Sequence, residues 1–344
     1  MHRIAIVGAS GYTGAELLRL CAGHPELEVT AATGDSMAGT AIGDLYPSLA
    51  SAYGDSEFVP YDESVAQGCD LAFLGLPHGA SQALVPGLRG QVKHIIDLAA
   101  DFRLDDPALY PEWYGDDHDA PELLDEFVYG MPELFRDRIS GAELIAAPGC
   151  YVTTASLALA PLVGAGFVEA TGIVVDAASG VSGAGRPAKP NTTFCTVDED
   201  FMAYGLLTHR HTPEIEMAVS SATGAHVQVL FTPHLAPMNR GILATCYARP
   251  TGPASTADAM RILEEAYRDE PFVVVSERSP STKATLGSNS VHITARVDPR
   301  TGWVVVIAAL DNLVKGASGQ AVQCANLALG MDESLGLTVS GLYP

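Results

Sequence analysis

The chain is short of lysine, of paired cysteines and of long apolar runs. Only four of its 19 basic residues are lysine, and 41 acidic residues leave a formal net charge of −22. Such a balance argues against a nucleic-acid partner and against an anionic membrane surface. No stretch approaches the roughly 20 apolar residues of a membrane-spanning helix, and an apolar strand begins at residue 3; the expectation is a cytoplasmic protein. The six cysteines, Cys21, Cys69, Cys150, Cys195, Cys246 and Cys324, form no CxxC pair and no zinc-type spacing. Neither a metal centre nor a disulfide framework is expected. Cys69, Cys246 and Cys324 lie in small or apolar surroundings and read as buried thiols. An anionic substrate would meet a repelling mean field and would need a local basic pocket.

What is present is a large globular core. With 344 residues and 47% hydrophobic content, two domains are expected. Short apolar runs at 3–7, 28–32, 70–75, 94–98 and 143–147 alternate with helical patterns, which implies a parallel α/β sheet with helices on both faces. After about residue 165 the texture changes to runs at 172–178, 226–233, 241–249, 272–277, 290–297 and 303–310, with helices near 212–224, 256–269 and 317–329. Many strands with few crossovers imply an α+β, mainly antiparallel, domain. The boundaries follow as 1–149 for the first domain, completed by a C-terminal helix within about 313–344, and 150–312 for the second.

Two motifs carry chemistry. Gly8, Gly11 and Gly14 follow the first strand and open a helix. Glycines there let the backbone approach a pyrophosphate at a helix N-terminus. Asp35 lies where an acidic residue would hold a ribose 2′-hydroxyl, while Thr33 and Ser36 could hydrogen-bond a 2′-phosphate, so this stretch alone leaves NAD and NADP open. The second motif is Ala147-Pro148-Gly149-Cys150, where an apolar strand-like run stops and an apolar helical pattern starts. A thiol at a helix N-terminus is favoured as the nucleophilic thiolate. A nucleophilic thiol with a nicotinamide cofactor points to interconversion of an acyl group and an aldehyde through a thioester. The acid/base partner is sought among His209 and His211. Thr212 as N-cap and Pro213 as first helical residue would hold His211 just outside a helix, and His211 is chosen. His226, His234 and His292 sit in strand-like runs and read as core or edge residues. Ser182, Arg186 and Lys189 in a glycine-rich basic loop, and Arg103 past a strand end, are candidate anion-binding residues, with His209 beside them.

Together the segments GASGYTG (8–14), LPHG (76–79), DLAADFRL (97–104), YGMPE (129–133), APGCYVT (147–153), SGVSGAGR (179–186), HRHTPEIE (209–216), FTPHLAPMNRGI (231–242) and DNLVKGASGQAVQ (311–323) resemble the N-acetyl-gamma-glutamyl-phosphate reductases across almost the whole chain. The resemblance implies a Rossmann domain plus an α+β catalytic and oligomerisation domain. It implies NADPH-dependent reduction of an acyl phosphate in arginine biosynthesis, with NADP(H) rather than NAD as cofactor and a homodimer or homotetramer as assembly. It makes Cys150 the nucleophile and His211 the acid/base residue, adds Ser10, Tyr12, Thr13 and Pro77 to the cofactor loop, and puts Asn312 near the nicotinamide. Ala147, Thr154 and Cys324 depart from the family's usual Asn, Gly or Ala, and Asn; Ala147 is expected to loosen the nucleophile loop. The competing readings are aspartate-semialdehyde dehydrogenase, a reductase of carrier-linked acyl phosphates, and an NADP(H)-sensing protein without turnover.

Overall fold

The computed structural model describes residues 1–343. The described residues divide into two compact units, 1–148 with 317–337, and 149–316 with 338–343.

The first unit starts with β1 (His2–Val7), α1 (Tyr12–Ala22), β2 (Leu27–Ala32), β3 (Leu71–Leu74), α2 (Ala80–Leu88), β4 (His94–Asp97), β5 (Val128–Tyr129), α3 (Pro132–Ile139) and β6 (Leu144–Ala146). The six strands pair in parallel throughout, in the order β2-β1-β3-β4-β6-β5. Every residue of β3 and β4 is buried, so these strands read as continuous runs without alternation. The order reverses between β1 and β3, whose register pairs Val7 with Leu74. Their carboxyl ends therefore lie side by side, at the switch point where doubly wound sheets bind ligands. The two-residue edge strand β5 carries no pattern that sequence reading could detect.

The second unit opens with α4 (Cys150–Gly164), whose side chains are buried on nearly all sides. A helix apolar all round belongs in a core, and α4 packs on the sheet and on the neighbouring helix α5 (His211–Thr223). The sheet comprises β7 (Ile173–Gly180), β8 (Met202–Ala203), β9 (Val229–Ala236), β10 (Ile242–Ala248), β11 (Val273–Val275), β12 (Val291–Val297) and β13 (Val304–Leu310), ordered β11-β12-β13-β10-β7-β9-β8. Four of its six pairings are antiparallel, while β7–β9 and β11–β12 are parallel. Helix α6 (Thr256–Ala266) is capped by Ser255, which accepts from the Asp258 N–H. The chain then returns to the first unit through a π-turn (Val314–Ser318) and α7 (Gly319–Ala328).

Two expectations need correction. The C-terminal segment stays with the first unit only as far as residue 337: Asn289 N–H donates to Thr338 O (2.8 Å) and Ser290 Oγ to Val339 O (2.6 Å), so 338–343 is tied to the second unit. Cys69 is not buried; it lies half-exposed, 3.3 Å from Thr30 Oγ1, because its loop leaves the sheet before β3 begins.

Leu159, in mid-α4 and fully buried, is expected to cost about 2–5 kcal/mol when truncated to alanine, through lost transfer energy plus a cavity. Calorimetric unfolding of Leu159→Ala checks this; a loss under about 1 kcal/mol would show that α4 is not a core element.

Candidate active site

The glycine loop of the first unit is shaped by the absence of side chains. Gly8 has φ +85°, and a Cβ there would stand 2.5 Å from Gly75 O. A Cβ on Gly14 would run into the backbone of Ala9. Gly11 plays a different part: it is the N-cap of α1 in an extended conformation, and no side chain caps the first-turn N–H groups of Tyr12, Thr13 and Gly14. Thr33 braces the loop from beneath, its Oγ1 accepting from Gly8 N–H (3.0 Å) and its carbonyl from Ala9 N–H (2.7 Å). Ser10 gives its carbonyl to Tyr46 OH (2.7 Å). Ser318, at the foot of α7, donates to Thr13 O (2.9 Å) and pins the returning helix on the loop. A side-chain-free cradle at an uncapped helix start fits the pyrophosphate of a dinucleotide. Pro77 is exposed just beyond β3, and Asp35 and Ser36 are exposed past β2. The Asp35 carboxylate accepts from Tyr61 N–H (2.9 Å).

The thiol of the second unit is positioned by its neighbours. Gly149 is the N-cap of α4, and half-buried Cys150 is its first helical residue. Gly149 N–H donates to the buried carboxylate of Glu214 (2.8 Å). A Cβ on Gly149 would collide with the His211 ring, first at Nε2; the imidazole therefore lies flush against the backbone that leads into the thiol. A Cβ on Gly316 would come within 2.8 Å of Cys150 Cβ. His211 and Glu214 lie three residues apart on α5, hence on one face.

Helix α5 begins at His211 rather than after Thr212. Arg210 already has helical dihedrals (φ −60°, ψ −12°), and Thr212 N–H reaches His209 O (2.9 Å). His211 N–H donates to His209 Nδ1 (3.1 Å), which leaves the His209 proton on Nε2. Burial, with the Arg210 charge beside it, lowers His209 to about 4, so it is neutral near pH 7. Tyr204 donates to the hydroxyl of Tyr151 (3.2 Å), which donates to His234 O (2.9 Å). Burial pushes Tyr204 up to about 12 and keeps it protonated. Cys150, His209, His211, Tyr204, Lys189 and Arg210 share one cavity of about 280 Å³. It offers a thiol, an imidazole in contact with the thiol's backbone, and two cations for an anion in a chain of net charge −22.

Residues 3–142 match the semialdehyde dehydrogenase NAD binding domain, and residues 150–312 the semialdehyde dehydrogenase dimerisation domain. The N-acetyl-gamma-glutamyl-phosphate reductase of Symbiobacterium thermophilum is 49% identical over 99% of both chains, and that of Pseudomonas aeruginosa 45% identical over the whole of both. The chain belongs to the N-acetyl-gamma-glutamyl-phosphate reductase family. Among solved structures, aspartate semialdehyde dehydrogenase II of Vibrio cholerae superposes with a TM-score of 0.70 at 19% identity, covering 96% of this chain and 98% of that one. The Candida albicans enzyme, solved with NADP, reaches 0.68 at 16%, covering 95% and 98%. These likenesses show a shared fold.

In this reductase-family chain the residues singled out in the sequence separate into groups. Cys150, His209, His211 and Lys189 meet at one cavity, whereas Ser182 and Arg186 are not in its wall. Asn312 belongs to the second unit and is buried; its Oδ1 accepts from Gly241 N–H (2.7 Å) and its Nδ2 donates to Ser182 Oγ (3.0 Å), so it fixes the glycine-rich loop. Arg103 belongs to the first unit, where its guanidinium donates to Leu98 O (2.7 Å). Thr33 is 2% exposed with its hydroxyl turned to the loop, a brace rather than an outward 2′-phosphate ligand. The departures from the family pattern are accommodated. Ala147 N–H is held by Asp97 O (2.7 Å), Thr154 Oγ1 bonds back to Cys150 O (2.8 Å), and Cys324 Sγ lies 3.4 Å from Gly130 O.

Three site residues escape sequence reading: Arg210, Tyr204 and Glu214. For Glu214 the signal was the His-x-x-Glu spacing, which puts both side chains on one helix face. Gly149→Ala is expected to displace His211 and lower kcat by about 10²-fold, the scale of a lost acid/base group, with thermal stability nearly kept. Steady-state kinetics beside an unfolding scan checks this; unchanged kcat would show that the ring does not need its contact with Gly149.

Proposed function

We propose that this chain reduces N-acetyl-gamma-glutamyl phosphate to N-acetyl-L-glutamate 5-semialdehyde and phosphate, using NADPH, as a cytoplasmic step of arginine biosynthesis. The observation that carries the reading is the Cys150 thiol at the start of α4, with the His211 ring packed on Gly149 and cations of Lys189 and Arg210 in the same cavity. The names of the near-identical-length relatives support the substrate.

The Cys150 thiolate attacks the acyl carbon, and the C–O bond to phosphate breaks, the leaving phosphate taking the bonding pair. A thioester remains on Sγ. When bound, the nicotinamide supplies the hydride that reduces the thioester carbon. His211 delivers a proton to the resulting oxyanion and takes it back as the hemithioacetal collapses, the C–S bond breaking to return the thiolate and release the aldehyde. Lys189 and Arg210 hold the phosphate and substrate carboxylate. Arg186, outside the cavity wall, has a buried Nε with no hydrogen-bond partner among the described residues, a donor that an anion at the glycine-rich loop would satisfy. Neutral His209 orients the start of α5 through the His211 N–H. Gly8, Gly11, Gly14, Ser10, Tyr12, Thr13, Pro77 and Ser36 hold the NADPH.

Phosphate-dependent reduction of NADP⁺ by N-acetyl-glutamate semialdehyde tests the reading, beside NAD⁺ and aspartate semialdehyde. Cys150→Ala is expected to abolish turnover with NADP(H) affinity kept within a few-fold, and His211→Asn to lower turnover by about 10²–10⁴-fold. Substantial activity in Cys150→Ala would sink the thioester route, and a preference for aspartate semialdehyde would sink the substrate assignment.

The working form is a homo-oligomer built on the second unit. Phe194, Phe201, Leu206 and Leu207 are 75, 58, 60 and 72% exposed on the segment between Lys189 and His209. Apolar residues clustered in this way mark a protein contact, and a second copy buries them. Sedimentation of Phe194→Asp/Leu207→Asp is expected to show dissociation with the fold intact; an unchanged mass would move the subunit contact elsewhere.

A further inference from the structure

The first unit contains two buried carboxyl groups that converge on one hydroxyl. Asp97 ends β4 and Asp101 follows four residues later, both 0% exposed. Ser81 Oγ, in the first turn of α2, lies 2.8 Å from Asp97 Oδ2 and 2.8 Å from Asp101 Oδ2. A serine hydroxyl has one proton, and an ionised carboxylate only accepts. Ser81 can donate to one carboxylate; the other contact requires a proton from the acid itself. Without it, lone pairs would face each other at hydrogen-bond distance in a buried site.

The surroundings decide which acid holds that proton. Asp101 Oδ1 accepts from Gly79 N–H (2.7 Å) and stands 2.6 Å from His78 Nδ1, while Oδ2 accepts from Gln82 N–H (3.0 Å) as well as from Ser81. Although burial opposes ionisation, these donors hold Asp101 down to about 2. Asp97 has one backbone donor, Ala99 N–H to Oδ1 (2.9 Å). Burial pushes Asp97 up to about 7, Ser81 and Ala99 N–H only partly opposing it and the Asp101 charge adding to it. Of the other charges, Arg103 favours ionisation of Asp97 and His78 acts through Asp101. His118 and Tyr110 reach Asp101 through its backbone carbonyl (2.7 and 2.5 Å) rather than its carboxyl group. Flanking strands β3 and β6 carry no ionisable residue, and α7 carries only the Cys324 thiol. The chain of donors therefore runs from Asp97 Oδ2–H to Ser81 Oγ, and from Ser81 Oγ–H to Asp101 Oδ2.

We propose that Asp97 is a positioning residue of the dinucleotide site, its retained proton holding Ser81 and Asp101 so that the Leu76–Gly79 turn stays in its binding geometry. The inference rests on the cofactor reading above. Asp101 grips this turn at Gly79, which has φ +87°, and at His78. The turn supports the glycine loop, since the space above Gly8 is bounded by Gly75 O and Leu76 Cδ2, and exposed Pro77 projects from it at the switch point between β1 and β3. Loss of the proton puts two anions on one hydroxyl, and the start of α2 must shift to relieve them. The sign follows from linkage. The folded chain retains a proton that the unfolded chain releases from about 3.8 upward, so the first unit loses stability as pH rises toward about 7, where the folded group ionises. Dinucleotide affinity falls as the pH passes through that upper value.

The test is NADPH binding by fluorescence titration from about pH 6 to about pH 8.5. Asp97→Asn keeps both contacts, its Nδ2 donating to Ser81 and its Oδ1 accepting from Ala99 N–H, but cannot ionise. The wild-type Kd is expected to rise about tenfold across this range, while Asp97→Asn retains the wild-type low-pH affinity throughout. Parallel pH profiles for the two proteins would overturn the proposal. Absence of NADPH binding by the wild type at low pH would instead overturn the cofactor reading. Should Asp97→Asn not fold, isotope-edited infrared spectra of the wild type decide: a buried protonated carboxyl band persisting to near pH 7 and lost above it is expected, and its absence at pH 6 overturns the proposal.

Discussion

The hydrogen bond from Gly149 N–H to the Glu214 carboxylate is the constraint on which the thiol site depends. It joins the first backbone N–H before α4 to the first turn of α5, fixing the nucleophile's helix against the histidine's helix. Because Glu214 is fully buried, the bond works at low dielectric, where a charge-assisted contact is strong and an unpaired one is costly. The His211 ring itself leaves no room for a side chain at residue 149. One carboxylate and one missing Cβ thus hold the residue before Cys150 against the start of α5. The long apolar body of α4 then makes that geometry rigid, because a helix buried on all sides cannot rotate or slide without emptying its packing.

The first unit solves a similar problem with the roles reversed. There the backbone itself must be presented, and buried side chains hold it from behind. Thr33 bonds Gly8 and Ala9, Ser318 bonds Thr13, and Asp101 bonds Gly79 and His78. Each spends polar capacity on the loop, so the main-chain N–H groups at the start of α1 are held with little freedom to lose. Binding then carries a small ordering cost.

The elements of the fold were legible where the pattern was strong. Buried parallel strands such as β3 and β4 read as short apolar runs, whereas the texture changes only after about residue 165 because the buried helix α4, which opens the second unit at Cys150, carries no strand pattern of its own. What was not legible follows from short-range or three-dimensional effects. The edge strands β5 and β8 have two residues each and owe their state to their neighbours. The start of α5 was misplaced because Thr212 and Pro213 are good opening residues locally, yet Arg210 adopts helical dihedrals two residues earlier. The return of 338–343 to the second unit depends on backbone bonds to Asn289 and Leu286 that no local propensity encodes.

The site shows the same division. Cys150, His211 and the glycine loop stood out because their chemistry needs particular residue types at particular offsets. Asp97 did not, because an aspartate at a strand end is unremarkable until a second carboxyl is found on the same hydroxyl. Sequence gives the number of acids in the segment 97–104 but not the number of protons they share. That count follows only from the two 2.8 Å contacts of Ser81. Buried polar groups must each be satisfied, and here one donor too few for two acceptors makes the protonation state a property of the fold. Where a chain this acidic buries two carboxyl groups together, the neutral one acts as a hydrogen-bond donor that no side chain of its type supplies when ionised.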